Sequence, residues 1–519
     1  MSRYRSFAGS AICVATMLLL SSPVLGDVAG TIRGTVTDPT GAVIPGATVK
    51  LHNTLTGLDR LATSDSTGSY EFLALPVGDG YEVSVNVTGF KEADLTGMKL
   101  LVNQVYRADF QLQVGAVAEK VEVAAAPVQA ETTNTQLGDV IGSAKMTSLP
   151  LNGRSYTDLL GLQIGVVPVT SGAGIYGQTN PSGNLNPGNF SVNGARETGE
   201  GFLVNGADVE ESKNNGAAVI PTLDSIEEFR VITNNFDAEY GRFAGAIVNV
   251  VTKSGTNDLH GDVYEFLRNN ALDSRNFFDL NQTNPETSQE LPGTAIGSLK
   301  QNMFGFTLGG PIRKNRLFFF SDYQGTRLVA GVTTGVIDVP SASERNGDFS
   351  DTDVTGYSAL TGSVRGSNTP GVHSMPETLT QRLGYTVTGG EPYWVPGCNG
   401  LADAQAGMCV FPGQVIPQSA WSPVPKATMK YIPTSTGAIG GTPFFSTSAN
   451  KNTLRDDKFG QRIDLGTQRI GALAFYYHFD DSTVYNPYAG GNVGGFGGVT
   501  PTRSQNVSVS DTLSPVFHK

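Results

Sequence analysis

The sequence is poor in charged residues, which make up 16% of the chain against roughly 25% in an average soluble domain. Its formal net charge is −12, and no run of Lys and Arg interrupts the interior. Broad binding to nucleic acid or to anionic lipid headgroups needs clustered positive charge that displaces counterions. The composition therefore excludes nucleic acid as a partner, and the acidity is typical of a solvated surface.

Histidine and catalytic motifs are also scarce. The histidines lie far apart and lack the H-E-x-x-H spacing of a zinc enzyme: His52, His260, His373, His478 and His518. The chain lacks the G-x-S-x-G sequence of a nucleophile elbow and the glycine-rich P-loop of a nucleotide site. These absences predict a protein that is not an enzyme and that holds no metal or other cofactor.

Cysteine is limited to three residues, and Cys13 lies in an N-terminal segment that is expected to be removed. Cys398 and Cys409 remain, close together in PGCNGLADAQAGMCVFPG. In an exported protein, an even and closely spaced pair favours a loop disulfide. A metal site is the weaker alternative, because no histidine lies near enough in sequence to complete a ligand set.

The chain has no long apolar run apart from one near its N-terminus. Arg3 and Arg5 precede an apolar stretch over residues 11–20, and small residues follow as far as Gly26. This stretch is short for a membrane-spanning helix, and no cluster of charged residues follows it. The pattern predicts a secretory signal peptide over residues 1–26.

What the chain has instead is glycine, with 64 residues, and short strand-like segments. Between residues 27 and 115, alternating apolar residues are separated by Gly, Pro, Asp and Ser turns, as in GTIRGTVTD and GATVKL. Several short strands at regular spacing are typical of a small β-sandwich. We therefore expect residues 27–115 to form a first domain with this fold.

A linker of small and polar residues follows over residues 116–140, with one alternating piece between Val117 and Val123. Such a linker can lie extended and pair with the sheet edge of another protein. A plain spacer, or a last strand of the sandwich, explains the same pattern equally well.

The next domain, residues 141–255, mixes short helix-like and strand-like pieces. Helices are predicted around Leu159–Leu162 and over Pro221–Phe229, and the second helix is expected to run into a strand over Phe229–Ile232. Spaced glycines then let the backbone turn ahead of a compact apolar run, which predicts a buried strand over Ile247–Val251.

Segments of about ten residues dominate residues 256–519, the length that a tilted strand needs to cross a bilayer. In QNMFGFTLGG, Phe304, Phe306 and Leu308 share one face, while small or polar residues share the other. GALAFYYHFDD alternates in the same way. An apolar face beside a small or polar face predicts the N-terminal part of a transmembrane antiparallel β-barrel, with a soluble all-β fold as the alternative.

Two families resemble this chain. GTVTDPTGAVIPGATVKL and ATSDSTGSYEFLALPVGDGYEVSVNVTGF resemble the carboxypeptidase regulatory-like domain, a transthyretin-like sandwich with a carbohydrate-binding-like fold and no implied peptidase activity. Further segments resemble, in family order, the TonB-dependent outer-membrane receptors of the Oar-like type: LPLNGRSY, FSVNGAR, FLVNGADV, SIEEFRVITNNFDAEYGRFAGAIVNVVTKSGTN, HGDVYEFLRN, LGGPIRKNRLFFFSDYQGTR and FPGQVIP.

The resemblance implies the cell outer membrane, with the sandwich in the periplasm and a mixed α/β plug domain seated inside a barrel of about 22 strands. It implies three partners: outer-membrane lipid, an inner-membrane TonB complex, and an extracellular ligand that is a siderophore, a carbohydrate or a peptide. Residues 256–519 allow only a handful of strands, and an open barrel edge in lipid is not viable. We therefore expect the chain to be a fragment of a longer receptor.

Two sets of site residues are predicted. An extended, alternating strand suits β-augmentation, so the TonB contact is expected in one stretch of the linker: Glu119, Lys120, Val121, Glu122 and Val123. Three arginines are expected to latch the plug by pairing with carboxylates on the barrel wall: Arg154, Arg196 and Arg242. Ordinary, partly exposed arginines are the alternative explanation.

The sequence therefore predicts an outer-membrane receptor that binds an extracellular ligand and imports it by a TonB-coupled rearrangement of the plug. A non-transporting surface protein for adhesion, carbohydrate binding or secretion is the alternative in the same membrane. A soluble secreted binding protein would require the strands after Asn257 to close into a soluble fold.

Overall fold

The fold is mainly β, as predicted, and consists of a sandwich, a middle unit and a long-stranded sheet. The computed structural model describes residues 29–115, 120–124, 136–151, 154, 156–168, 190–210, 215–236, 240–272, 298–332, 337–351, 360–366, 374–439, 441–445, 450–467, 471–488 and 497–512. The predicted signal peptide and Glu119 lie outside these residues. Within the described ranges, no helix combines the length and the apolar character needed to cross a membrane.

The sandwich is built from nine strands: β1 (Ala29–Thr37), β2 (Thr48–Asn53), β3 (Asp59–Thr63), β4 (Ser69–Pro76), β5 (Gly78–Asn86), β6 (Glu92–Leu100), β7 (Val105–Arg107), β8 (Phe110–Gln111) and β9 (Lys120–Ala124). One sheet has the order β4-β1-β7, with β8 also paired to β1, and the other has the order β3-β2-β5-β6-β9. Alternate residues of both sheets, such as Ile32, Val49 and Val83, are fully buried between them. The predicted sandwich is confirmed.

Two strands of the sandwich differ from the sequence-based expectation. β6 was not predicted, because EADLTGMKL mixes charged and small residues and does not alternate clearly. β9 lies in the predicted linker, and its backbone pairs in parallel with β6. The described residues of the expected TonB contact, Lys120–Val123, therefore belong to the last strand of the sandwich, which is one of the alternatives that the sequence left open.

The middle unit, residues 136–257, contains a five-stranded sheet, a two-stranded sheet and two short helices. Its elements are β10 (Leu137–Gly142), α1 (Ser143–Ser148), α2 (Thr157–Leu160), β11 (Val166–Pro168), β12 (Phe190–Val192), β13 (Gly201–Val204), β14 (Ala207–Asp208), β15 (Ile226–Asn234) and β16 (Ile247–Thr252). The larger sheet has the order β10-β15-β16-β13-β14. Every residue of β16 is buried, which confirms the predicted strand.

The predicted helix over Pro221–Phe229 is wrong. The structure has one 3-10 turn at Leu223–Ser225, and the chain then enters β15 at Ile226. β15 lies between β10 and β16, so neighbours on both sides satisfy its backbone groups. Ile226 and Phe229 are three residues apart with two glutamates between them, a spacing that also fits a helix, whereas the strand predicted over Phe229–Ile232 lies within β15.

The long-stranded sheet and its largest loop complete the described chain. Their elements are β17 (His260–Asn269), β18 (Leu299–Arg313), β19 (Leu317–Gly331), β20 (Ile337–Asp338), α3 (Met375–Leu383), α4 (Leu401–Gln405), α5 (Pro423–Thr428), β21 (Gly437–Ile439), β22 (Thr442–Phe445), β23 (Lys451–Thr467), β24 (Gly471–Asn486) and β25 (Gly498–Thr512). Six strands pair antiparallel in the order β17-β18-β19-β23-β24-β25. Phe304, Phe306 and Leu308 are 36% to 39% exposed on one face of β18, whereas Met303 and Thr307 are buried on the other. The predicted alternation is confirmed.

The two ends of this sheet differ. At one end, residues 314–316 join β18 to β19 and residues 468–470 join β23 to β24. At the other end, residues 332–450 connect β19 to β23, and part of this loop folds around its own core, which includes Val364, Val410 and Phe411. Cys398 and Cys409 are joined by a disulfide within this loop.

Breaking the loop disulfide has an expected cost. Replacing both cysteines by serine in Cys398→Ser/Cys409→Ser frees a ring of this size, which corresponds to about 3 kcal/mol of unfolding free energy. We expect the loop, and not the rest of the protein, to become sensitive to protease at neutral pH. Ser422→Ala, in the same loop outside the ring, is the matched control; equal protease sensitivity of all three proteins would contradict the prediction.

Candidate functional site

One segment of the middle unit lies against the inner face of the long-stranded sheet. The hydroxyl of Thr222 donates a hydrogen bond to Asp322 of β19 at 2.9 Å, and the ammonium of Lys458 of β23 donates to the carbonyl of Ile220 at 3.5 Å. All four of these residues are buried, and Tyr476 of β24 packs into the core of the middle unit. The segment is thus held by polar groups that project from the sheet.

Lys458 is the centre of a buried charge cluster. Its ammonium lies 4.0 Å from the carboxylate of Asp456 and 3.7 Å from that of Asp480, and all three residues are at most 4% exposed. Removing one member of a buried ionic group leaves the others uncompensated. The bond from Lys458 to the middle unit is therefore coupled to the compensation of two buried carboxylates.

Arg462 lies four residues after Lys458 on the same face of β23 and holds the C-terminal end of the middle unit. Its guanidinium donates to the carbonyl of Thr252 at 2.6 Å and is oriented by Asp464 at 2.9 Å. Asn205 also accepts from the amide of Thr252 at 3.0 Å. Asn205 and Gly206 both have positive φ, 51° and 78°, which explains why FLVNGADV carries Asn-Gly at the turn between β13 and β14.

Arg154 does not pair with a carboxylate of the sheet. It forms a buried ion pair at 2.6 Å with Asp224, which belongs to the same middle unit. Its guanidinium lies 3.8 Å from the ring centre of Phe266 and 5.3 Å from that of Tyr264, both on β17. Arg154 thus contacts the sheet through cation–π stacking.

The other two predicted arginines form no ion pair with the described part of the sheet. Arg242 pairs with Asp208 and, at 3.8 Å, with Glu210, and both carboxylates belong to the middle unit. Arg196 is exposed beside a 3-10 turn at Glu197–Gly199. The structure therefore does not bring the three predicted latch residues together.

The sequence reasoning missed the side chains that hold the middle unit: Asp322, Lys458 and Arg462. They lie on β19 and β23. Asp322 accepts from Thr222 as a carboxylate of the sheet, whereas Lys458 and Arg462 reverse the predicted polarity, because these cations of the sheet donate to carbonyls of the middle unit. A signal was available, since DDKFGQRID places Asp456, Lys458 and Arg462 on one face at period two.

A second contact joins the middle unit to the sandwich. The turn Leu101–Gln104 follows β6, and the amide of Val102 donates to the carboxylate of Glu228. Arg230 donates to the carbonyls of Val102 and Asn103, each at 3.1 Å. Val102, Glu228 and Arg230 are at most 2% exposed, so water is excluded from these bonds.

Burial and the neighbouring charges shift two pKa values at this contact. Burial raises the pKa of Glu228 to about 7, with a further contribution from Glu227, while the bond from Val102 and the charges of Lys99 and Arg230 act in the opposite direction. Burial acts to lower the pKa of Lys99, but Glu227 at 3.2 Å and Asp79 outweigh it, so that this pKa is raised.

Contact between the sandwich and the middle unit is therefore expected to weaken as pH rises. The pKa of Glu228 is higher in the docked state than its ordinary value, so its stabilising effect is full below about pH 4.5 and is lost as pH rises through about 7. The largest change is about 3 kcal/mol. Hydrogen exchange of the Val102 amide, corrected for intrinsic rate, should be more protected at pH 5 than at pH 8.

Glu228→Gln should remove most of this pH dependence, because an amide does not titrate in this range. Asp109→Asn, on an exposed carboxylate of the sandwich, is the matched control and should keep it. Equal protection of Val102 in wild-type protein at both pH values would contradict the assigned role of Glu228.

A cleft of about 1030 Å³ opens on the middle unit. It lies between the C-terminal half of β15, including Thr233 and Asn234, and apolar side chains such as Leu159, Leu162 and Ile164. This volume and mixed lining are typical of sites for small molecules. In the described part of the chain, no group of three or more His, Cys, Asp or Glu residues is arranged to hold a metal ion.

Comparison with known proteins gives two family matches. A family described as outer membrane beta barrel domain matches residues 251–515, and the carboxypeptidase regulatory-like domain family matches residues 31–113. The TonB-dependent transporter Oar of Myxococcus xanthus is 28% identical over 370 residues, which are 68% of this chain and 32% of Oar. The chain thus spans about a third of the length of this curated relative.

Two solved structures are similar over part of the chain. The siderophore receptor PirA of Acinetobacter baumannii is 15% identical, with a TM-score of 0.32 over 73% of this chain and 45% of PirA. The ferric enterobactin receptor PfeA of Pseudomonas aeruginosa is 14% identical, with a TM-score of 0.29 over 68% of this chain and 34% of PfeA.

Proposed function

This chain belongs to the outer membrane β-barrel family and lies in the cell outer membrane, and on this premise we propose that it is a TonB-dependent import receptor. It binds a ligand outside the cell and imports it when the middle unit, acting as a plug, rearranges under the pull of an inner-membrane TonB complex. The observation that carries the proposal is the separate middle unit held on the inner face of the sheet by Lys458, Asp322 and Arg462.

The proposed domain division follows the expected one. Residues 1–26 are a signal peptide, residues 27–115 the sandwich, residues 116–140 a linker that carries the TonB contact and adds β9 to the sandwich, residues 141–255 the plug, and residues 256–519 the first part of the barrel. Short turns face the periplasm and long loops face the outside in outer-membrane barrels. The sandwich is accordingly periplasmic, since Leu55 bonds to Asn257 at the end of the sheet with the short turns.

Ligand binding is proposed at the cleft of the middle unit and at the external loops, and the role is not enzymatic. The curated relative is named a transporter, which supports this choice. The ligand is a siderophore, a carbohydrate or a peptide, because each class presents polar groups that fit a cleft of mixed polarity.

Uptake in four strains tests the proposal: cells with and without the full-length receptor, each with and without TonB. The probes are radio-iron-loaded siderophores, fluorescent oligosaccharides and labelled casein peptides. We expect one probe class to accumulate only where receptor and TonB are both present. The proposal would be contradicted if every probe accumulated to the same extent with and without TonB.

A non-transporting surface protein is the second candidate, and the folded loop with its disulfide favours it. Such a protein would bind a probe at the cell surface to the same extent with and without TonB, and no label would enter the periplasm. Separating surface-bound from periplasmic label in the same four strains distinguishes adhesion from import.

A further inference from the structure

The described part of the segment expected to contact TonB, Lys120–Val123, lies in an edge strand of the sandwich. β9 pairs with β6 from Glu92 opposite Lys120 to Thr96 opposite Ala124. It is the outermost strand of its sheet, and within the described residues its second edge carries no paired strand. Such an edge exposes backbone N–H and C=O groups that accept an added strand.

β6 runs from this edge directly into the contact with the middle unit. Only Leu101 separates the end of β6 from Val102, whose amide and carbonyl are bonded to Glu228 and Arg230 of β15. The covalent route from β9 to the middle unit instead runs through residues 125–136 before it reaches β10.

The contact is placed to act on the middle of the plug sheet. β15 is paired on one side with β10 and on the other with β16, so a force on β15 reaches both neighbours. Asn103 strengthens the contact by donating to the hydroxyl of Tyr240 at 2.8 Å, and Lys99 pairs with Glu227 at 3.2 Å.

We propose that the sandwich is a coupling element that carries the pull of TonB to the plug, an inference that rests on the proposed TonB-dependent function. A strand from the periplasmic domain of TonB adds to the free edge of β9 while β9 stays in its sheet. The load then passes from β9 to β6 and, through the turn Leu101–Gln104, to β15.

An engineered disulfide tests whether β9 stays in the sheet. Positions 94 and 122 are register partners, so D94C/E122C in the full-length receptor locks β9 to β6 on oxidation. The purified periplasmic domain of the cell's TonB protein is the probe, and its affinity for receptor in outer-membrane vesicles is measured by biolayer interferometry. E92C/K120C, a second register pair, replaces the first if its folded yield is low.

We expect oxidation to leave the affinity for the TonB domain within about twofold of the wild-type value. A loss of about tenfold or more on oxidation, with wild-type binding intact, overturns the coupling role and leaves the proposed function standing. Failure of the TonB domain to bind the wild-type receptor overturns the TonB contact at β9, and the coupling role with it.

Force spectroscopy with the TonB domain on the cantilever tip tests the load path. With the contact intact, the first event is unfolding of the plug. In Glu228→Ala/Arg230→Ala, the sandwich should detach first and the trace should lengthen by up to about 40 Å, the extended length of residues 125–136, before the plug unfolds.

A second variant and a control keep this test decisive. Lys99→Ala/Asn103→Gly weakens the contact from the sandwich side without altering the plug, and glycine tolerates the positive φ of Asn103. It should give the same early lengthening. Lys50→Ala removes an exposed ion pair with Asp59 inside the sandwich and should leave the trace unchanged. Identical first events in all variants overturn the proposal.

Discussion

Lys458→Met should loosen the middle unit from the sheet by about 3–5 kcal/mol, the usual cost of removing one partner from a buried ionic group. Methionine keeps most of the length of the side chain but leaves Asp456 and Asp480 without a cation. It also removes the donor to the carbonyl of Ile220. Hydrogen exchange of the β16 amides in the solubilised full-length receptor measures the loss, because these amides open when the middle unit unfolds.

The control for this substitution is Lys300→Met, on an exposed lysine of β18. It should change the exchange of β16 by less than about 0.5 kcal/mol, as surface substitutions usually do. Lys458→Met/Asp480→Asn should recover part of the loss, since one of the uncompensated carboxylates is then neutral. If the β16 amides of the Lys458→Met single variant exchanged as slowly as those of the wild type, Lys458 would not hold the middle unit.

Gly255→Ala should prevent most of the receptor from reaching its folded form. Gly255 lies where the chain leaves the middle unit for β17, and a Cβ added there would lie 2.4 Å from the carbonyl oxygen of Phe319 and 2.6 Å from that of Gly310. Both atoms belong to the backbone of paired strands, so neither can move without breaking the sheet. An extra methyl group in a packed core usually lowers the free energy of unfolding by about 1–3 kcal/mol. We expect a larger loss here, because the clash is with backbone atoms.

The folded fraction is read from the heat-modifiable band of the full-length receptor on a gel. Gly142→Ala is the matched control, because a Cβ at Gly142 meets no atom within 4 Å and its backbone is extended. It should leave the folded fraction unchanged. Equal folded fractions for the two variants would show that the crossing at Gly255 is looser than its distances indicate.

Much of the fold is visible in the sequence where one physical pattern dominates. β18 and β24 face two different environments, so their apolar and polar residues alternate with period two, and this alternation predicted them. β16 is buried on both faces and shows as a continuous apolar run after spaced glycines. The family motifs added the order of the units, which no local pattern contains.

The rest was hidden where long-range contacts override the local pattern. β23 carries Asp456, Lys458, Arg462 and other charged residues, so it does not resemble an apolar strand, although these charges are what hold the middle unit. β6 has weak alternation and becomes a strand because β5 and β9 pair with it. β9 alternates, but its own residues do not specify that it pairs with β6. The partner of Arg154 depends on where Asp224 lies after folding, which residue type alone does not specify.

The most direct test of the account is the reactivity of a cysteine placed at the contact between the middle unit and the sheet. Thr222→Cys puts a thiol where Thr222 is 2% exposed beside Asp322, and Leu61→Cys, at an exposed position of the sandwich, reports reagent access. The native pair Cys398 and Cys409 is already bonded. In cells that express the full-length receptor, maleimide labelling at position 222 should rise several-fold only when TonB is present and the inner membrane is energised. Equal labelling of position 222 in energised, protonophore-treated and TonB-deficient cells would contradict a plug that rearranges under the pull of TonB.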